Sequence, residues 1–338
     1  MIHSLTWGGC LVYLLLIALQ TLLMVFVAPW LNGLVGWLSG RVSGVSSFPV
    51  MGRWQDIGHQ FRRPRLQQGA DWLSGAACAG ALVLAVLGCA LVPAFTLAVP
   101  GFPAPGLLLI CSVLVVALVL LDVPRVLCGG LGAVQGARSL LGALLLLPAL
   151  VPVVLLAGVR DFSDFLATVH GLSPVTDGAP FVLAGVALFL VPALAWPDQQ
   201  GQLASLAGPE RAMWLWAADC VQIAWVVLAL DMAWPGGLAL PDASGMEAWL
   251  IQCMVDFALW GGKLLLAATM LALVRLVVLP PLRLARIRLV SIFLLGVLAL
   301  QVTWSVHPLL AERDEGGVLA GPQQLESQAA ITGGEDVQ

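Results

Sequence analysis

The sequence predicts an all-α, polytopic membrane protein of about eight transmembrane helices, on three observations. Hydrophobic residues fill 60% of the 338 positions and charged residues only 10%, against roughly 25% charged in ordinary soluble domains. Mean hydropathy is +0.98. Apolar runs near or above the ~20 residues needed to cross the hydrocarbon layer recur along the chain. In lipid, backbone N–H and C=O groups must pair within a helix or around a closed barrel. The runs lack the polar–apolar alternation of barrel strands, which leaves helices.

The candidate spans are roughly 10–31, 72–94, 105–124, 140–159, 179–197, 212–234, 248–279 and 287–306. They compose a membrane domain over 1–306, with a first cytoplasmic segment at 32–71. No charged side chain precedes Arg41, so the first run lacks the basic leader of a signal peptide and reads as a retained helix. The seventh run exceeds one perpendicular crossing, which predicts tilt, an interfacial start or a break at Gly261-Gly262. Residues 307–338 are polar and aperiodic, as in a disordered tail.

Arginines orient the spans. The connection after span 1 carries Arg41, Arg53, Arg62, Arg63 and Arg65. Arg125 and Arg138 follow span 3, Arg211 follows span 5, and Arg283, Arg286 and Arg288 follow span 7. The connections after spans 2 and 6 have no basic residue, and the one after span 4 has Arg160 among Asp161, Asp164 and Asp177. By the positive-inside rule the odd-numbered connections face the cytoplasm and both termini face outward.

The 7 cysteines lie singly in or beside apolar runs, with no CxxC, and the 4 histidines are scattered. Neither a metal site nor haem ligation by this chain is expected, and the cysteines read as small buried hydrophobes. Ionisable groups inside spans are functional suspects because each is expensive in lipid. They are Asp122, Asp219, Asp231, Asp256, Lys263 and Arg275. Asp122 lies three residues from Arg125 and can pair across one turn. Asp231 and Arg275 lie near span ends, where arginine can snorkel. Asp219, Asp256 and Lys263 are deeper. Asp256, Trp260 and Lys263 share a helical face, but Asp256 and Lys263 are ~10 Å apart along the axis, too far for contact. A partner on another span, such as Asp219, would neutralise Lys263, the only lysine of the chain. Two readings stay open for these residues: a polar ion path, or structural pairing between helices.

Several stretches resemble one family. "GGLGAVQGARS" followed by "LPAL" is similar to the "GGxGxSRE" and "EPAL" motifs of the subunit 1 type membrane proteins of respiratory complex I, the NADH-quinone oxidoreductase. The similarity is to the branch found in membrane-bound NiFe hydrogenases, including formate hydrogenlyase. "VAPWLNGLVGWLSGRVSG" with "GRWQDIGHQFRR" resembles the first span exit and first cytoplasmic segment of that family. "WPDQQGQLASLAGPERAMWLWAAD" resembles its acidic-loop segment and the entry to span 6, and "GGKLLLAATMLALVRLVVLPPLRLARI" its penultimate span and basic exit. The chain departs from the pattern where titratable groups are expected. Ser139 follows Ala137-Arg138 in place of a glutamate, and Leu147 precedes Pro-Ala-Leu in place of another. Gln199, Gln200 and Gln202 occupy the shortened acidic loop, with Asp198 and Glu210 at its edges. Glutamine and leucine cannot titrate, so the proton-carrying role of those family glutamates does not transfer here.

The resemblance implies a membrane-anchoring subunit of a complex I-like or hydrogenase-like oxidoreductase in the bacterial cytoplasmic membrane, itself non-catalytic. Its implied partners are peripheral iron–sulfur or hydrogenase-like subunits and antiporter-like membrane subunits, with no nucleic acid. Iron–sulfur and NiFe centres would lie in those partners; quinone is possible, and no other cofactor is expected on this chain. The implied docking surface comprises Arg53, Asp56, Arg62, Arg63, Arg65, Arg138, Asp198 and Arg211, and the implied ion path Lys263, Asp219 and Asp256. Trp54, Ile57 and Phe61 recur at helical spacing, which predicts an amphipathic interfacial helix among the first of these arginines. The rival readings are a quinone-site subunit of an NADH dehydrogenase and a secondary transporter.

Overall fold

The computed structural model describes residues 7–44, 49–64, 72–97, 105–127, 182–189, 206–234, 236–239 and 246–277, with scattered positions from 132 to 166 and residue 296. The described chain is helical: α1 (Trp7–Ser43), α2 (Gly52–Arg62), α3 (Trp72–Leu91), α4 (Leu107–Leu127), α5 (Pro209–Ala233) and α6 (Met246–Val277). Five of these helices, all but α2, are long and apolar enough to cross a membrane. The protein is therefore a multi-pass, all-helical membrane protein. Residues 182–189 are also helical and lie within the fifth expected span. The expected spans at 140–159 and 287–306 fall almost wholly outside the described residues, as does the tail at 307–338.

Two elements refine the expectation: α1 is longer, and α6, for which the sequence leaves tilt, an interfacial start or a break open, has no break. The first helix runs on to Ser43, well past the apolar run, because nothing in 32–43 forbids helix and α2 packs along it. The long helix α6 is continuous through Gly261 and Gly262, since glycine weakens a helix without breaking it when no neighbour intrudes.

Helix α5 is the axis. Its apolar window is 83% buried, against 28–44% for the other four spans, and it contacts α1, α2, α3, α4 and α6. Helices in lipid gain little from the hydrophobic effect and associate through close packing of small residues. Accordingly α3 buries Ser74, Ala77, Cys78, Ala81, Ala85, Gly88 and Cys89. A methyl group at Gly88 would meet Leu114 of α4 at 2.5 Å, and one at Gly185 would meet the Ala229 carbonyl of α5 at 2.6 Å.

Tryptophans of α5 repair its neighbours. Pro29 inside α1 has no N–H to give the Val25 carbonyl four residues back. The indole of Trp216 donates to that carbonyl at 3.2 Å. Pro124 disturbs α4 in the same way, and Trp214 donates to the adjoining Leu121 carbonyl at 2.7 Å. At the end of the bundle away from α2, the Leu97 N–H donates to the Ala239 carbonyl (3.1 Å) and the Ala239 N–H to the Phe95 carbonyl (3.0 Å). The Gln20 side chain accepts from the Ala94 N–H at 2.8 Å. These backbone groups outside the helices are thus paired inside the protein, as an apolar surrounding demands.

The turn between α1 and α2 fixes the site described next. Gly33 lies directly beneath the Val50 carbonyl, where no Cβ fits, whereas Gly36 one turn on faces open space. Gly208, at φ +69°, lies against the Arg63 and Pro64 carbonyls and ties the exit of α2 to the start of α5. Gly33→Ala should therefore lower the melting temperature of the detergent-purified protein by pushing α2 off α1, an overpacking loss of about 1–3 kcal/mol. Gly36→Ala should leave it unchanged or raise it, because alanine is the better helix former.

Candidate functional site

Helix α2 has the composition of an interfacial helix. Ile57 and Gln60 are buried, while Gln55, Gly58, His59 and Arg62 face outward. Trp54 meets Phe26 of α1 at 5.1 Å and Trp216 of α5 at 5.8 Å between ring centroids, and Phe61 meets Trp216 at 6.5 Å. Trp37 and Arg41 make a cation–π contact at 5.2 Å further along α1. Such an aromatic band is the usual marker of the headgroup level of a bilayer.

Inside that band lies a buried charge cluster. Arg53 Nε and Nη2 grip the two carboxylate oxygens of Asp219, each at 2.9 Å. Asn32 Nδ2 donates to the same carboxylate at 2.8 Å, and Arg275 Nη2 donates to Asn32 Oδ1 at 3.3 Å. Four helices, α1, α2, α5 and α6, contribute one side chain each. Asp219 is 1% exposed and Arg53 22%. The bidentate fork is the strongest geometry available to a carboxylate. Burial alone lowers the Arg53 pKa, but the charge and hydrogen bonds of Asp219, with a smaller contribution from Asp56, outweigh it and hold the guanidinium above its ordinary value. Arg53 is therefore a permanent cation.

A second cluster lies at the far end of α5. Lys263 Nζ donates to Asp231 Oδ1 at 3.3 Å and to the Trp234 carbonyl at 2.8 Å, with the Trp234 ring 5.6 Å away. Both charged side chains are almost completely buried, 3% and 1% exposed. The ammonium sits where the partial negative charge of the α5 C-terminus is concentrated, so it caps that helix as well as neutralising Asp231. Asp256 is buried one layer beyond and accepts from Gln252 at 3.1 Å.

These clusters regroup the sequence candidates. Asp219 of the expected ion path and Arg53 of the expected docking surface form one site. Lys263 pairs with Asp231 and not with Asp219, because α5 and α6 run antiparallel and bring 263 level with 231. Lys263 and Asp256 do not meet, as their spacing requires. Asp122 and Arg125 pair across one turn at 2.7 Å. Asp56 accepts a long bond from Gln60 (3.4 Å), Arg62 and Arg63 are exposed, and Arg211 stands half-buried at the start of α5. Arg65, Arg138 and Asp198 fall outside the described residues.

Sequence reasoning set aside Asp231 and Arg275 as span-end residues and did not single out Asn32. Both ionisable residues in fact turn inward. A signal for them exists: Asp219 and Asp231 are twelve residues apart on one span, and Lys263 and Arg275 twelve apart on the next. Antiparallel neighbours with equal spacing bring the pairs level at two heights ~18 Å apart.

Among the described residues, no group of three or more His, Cys, Asp or Glu side chains is placed to hold a metal ion. No protein-family model matches the chain, and no curated protein matches its sequence. Solved structures do match. One is a chain in the structure of the membrane-bound sulfane sulfur reductase, an archaeal respiratory membrane complex. It superposes with a TM-score of 0.66 at 14% identity, over 86% of this chain and 99% of that one. At that identity the likeness shows a shared fold.

Proposed function

We propose that this chain is the membrane-anchoring subunit of a complex I-like or energy-converting NiFe hydrogenase-like oxidoreductase complex. The observation that carries this reading is the fold it shares, along nearly its whole length, with a chain of a respiratory membrane complex. In this reading the protein lies in a bacterial cytoplasmic membrane with α2 on the cytoplasmic side and both termini outside. The ledge formed by α2 and the start of α5, with Asp56, Arg62, Arg63 and Arg211, docks a peripheral electron-transfer module; Arg65, Arg138 and Asp198, outside the described residues, are assigned to the same docking from the sequence. Antiporter-like membrane subunits flank it. Iron–sulfur and NiFe centres belong to the partner subunits, and this chain supplies no catalytic residue.

Arg53 serves that ledge indirectly. Its fork on Asp219 fastens the ledge to the central helix, so force or charge arriving at α2 reaches the buried layer. Asp219, Lys263 and Asp256, joined by Asp231, are the groups through which ion movement would be coupled. Lys263 also has a purely structural use as the cap of α5, and the two uses are separable by experiment.

Purification of the tagged full chain in mild detergent should recover iron–sulfur subunits with it. Arg62→Glu with Arg63→Glu should release them while the chain remains folded; retention of every partner by that variant would remove α2 from the docking surface. Recovery of the wild-type chain alone, with solute uptake in proteoliposomes, would favour the transporter reading instead. For the ion path, Lys263→Met should destabilise the protein by about 3–5 kcal/mol by stranding the Asp231 carboxylate. Adding Asp231→Leu should restore assembly yet leave redox-driven ion uptake by inverted vesicles impaired. Full uptake by the double variant would reduce the pair to a structural tie.

A further inference from the structure

The cluster at Asn32 holds more positive than negative charge. Two guanidiniums, Arg53 and Arg275, face one carboxylate, Asp219, and Asn32 links them without adding charge. Asp56, the other acid near Arg53, lies on α2 outside hydrogen-bond reach of it and accepts instead from Gln60. Arg275 is poorly satisfied. Its one hydrogen bond within the cluster is the 3.3 Å contact to Asn32, and its buried Nε has no partner among the described residues. An arginine carries five donors, and stranding one in an apolar surrounding is costly.

The cluster is deep but reachable. Arg275 and Asn32 lie on the inward faces of α6 and α1, in line with buried Leu271 and Ala28 respectively, yet both side chains are half-buried, as is Arg53. All three side chains thus keep some exposed surface where α1, α2, α5 and α6 meet. Beside it stand Phe26, 60% exposed, and Trp54, whose indole N–H is also buried without a described partner. The aromatic band puts this surface at headgroup height, where phosphates are the abundant anions and carry acyl chains that suit an apolar helix surface. A neutral ligand would leave the surplus charge uncompensated.

We infer that the exposed surface at Asn32, Arg53 and Arg275 binds the phosphate of an anionic membrane phospholipid. The phosphate takes the free donors of Arg275 and the remaining Nη1 of Arg53, while Asp219 keeps Arg53 in place. Guanidinium forks match phosphate oxygens in geometry and charge. The site stands whether or not the chain docks a redox module, so its test is independent of that reading.

The test titrates the full chain, delipidated in mild detergent with whatever subunits accompany it, against phosphatidylglycerol, phosphatidylcholine and inorganic phosphate. Bound lipid is counted by native mass spectrometry and the melting temperature followed. Phosphatidylglycerol should be retained and raise the melting temperature, phosphatidylcholine should do so weakly, and inorganic phosphate should not. Arg275→Gln should weaken phosphatidylglycerol binding about tenfold or more, the loss of one charge-assisted hydrogen bond. Asn32→Asp balances the charges with both arginines intact, and should also weaken binding, which keeps the test valid if Arg275→Gln folds poorly. Undiminished phosphatidylglycerol binding in both variants would overturn the site. Equal stabilisation by inorganic phosphate would overturn the lipid as its occupant, and stabilisation seen only with a partner subunit present would assign the arginines to a protein carboxylate.

Discussion

Charge buried among membrane helices has to be neutralised by the protein itself, and that constraint organises this molecule around α5. The helix is enclosed on nearly all sides, and it carries two carboxylates that lipid cannot solvate. Asp219 is answered by Arg53 from α2, and Asp231 by Lys263 from α6. The polar contacts so formed draw α1, α2 and α6 to the same core helix. Removing one member of such a pair strands the other, which costs far more than the pair itself contributes. Among the described residues the two buried clusters differ: Asp219 is faced by two guanidiniums, Arg53 and Arg275, whereas Lys263 pairs with Asp231 and has Asp256 one layer beyond.

The same helix also makes good a defect of its neighbour. Pro29 would leave the Val25 carbonyl poorly paired in an apolar surrounding, and Trp216 of α5 donates to it. Beside Pro124, Trp214 donates to the Leu121 carbonyl. Trp216 has a further duty, since its ring carries Trp54 and Phe61 of α2. The interfacial helix is thus held by an aromatic contact on one side and an ion pair on the other. A surface helix is thereby fixed firmly to a central span and joined directly to buried charge.

Much of this was legible in the sequence. Apolar runs marked the five spans among the described residues, because crossing a bilayer imposes length and composition on a helix. The spacing of Trp54, Ile57 and Phe61 marked α2. The scarcity of charge made Asp219, Asp256 and Lys263 conspicuous. Pairing was less legible. Lys263 takes Asp231, a residue near a span end by count, since register between α5 and α6 depends on how the helices are offset, which no single run encodes. Arg53 read as one of a basic series, yet it turns inward because Gly33 lets α2 approach α1 closely enough to reach Asp219. Asn32 carries no charge and gave no signal of its own; only its place between Asp219 and Arg275 reveals its use.

The central claim is that the Arg53–Asp219 fork locks the interfacial helix to the core of the bundle. A double-mutant cycle on the unfolding free energy of the purified chain, with Arg53→Met, Asp219→Leu and both together, measures that lock directly. Each single change should destabilise strongly, and the double should cost less than the two singles combined by about 2 kcal/mol or more. Additive effects would show that the two residues stabilise the protein separately, and the lock would not exist.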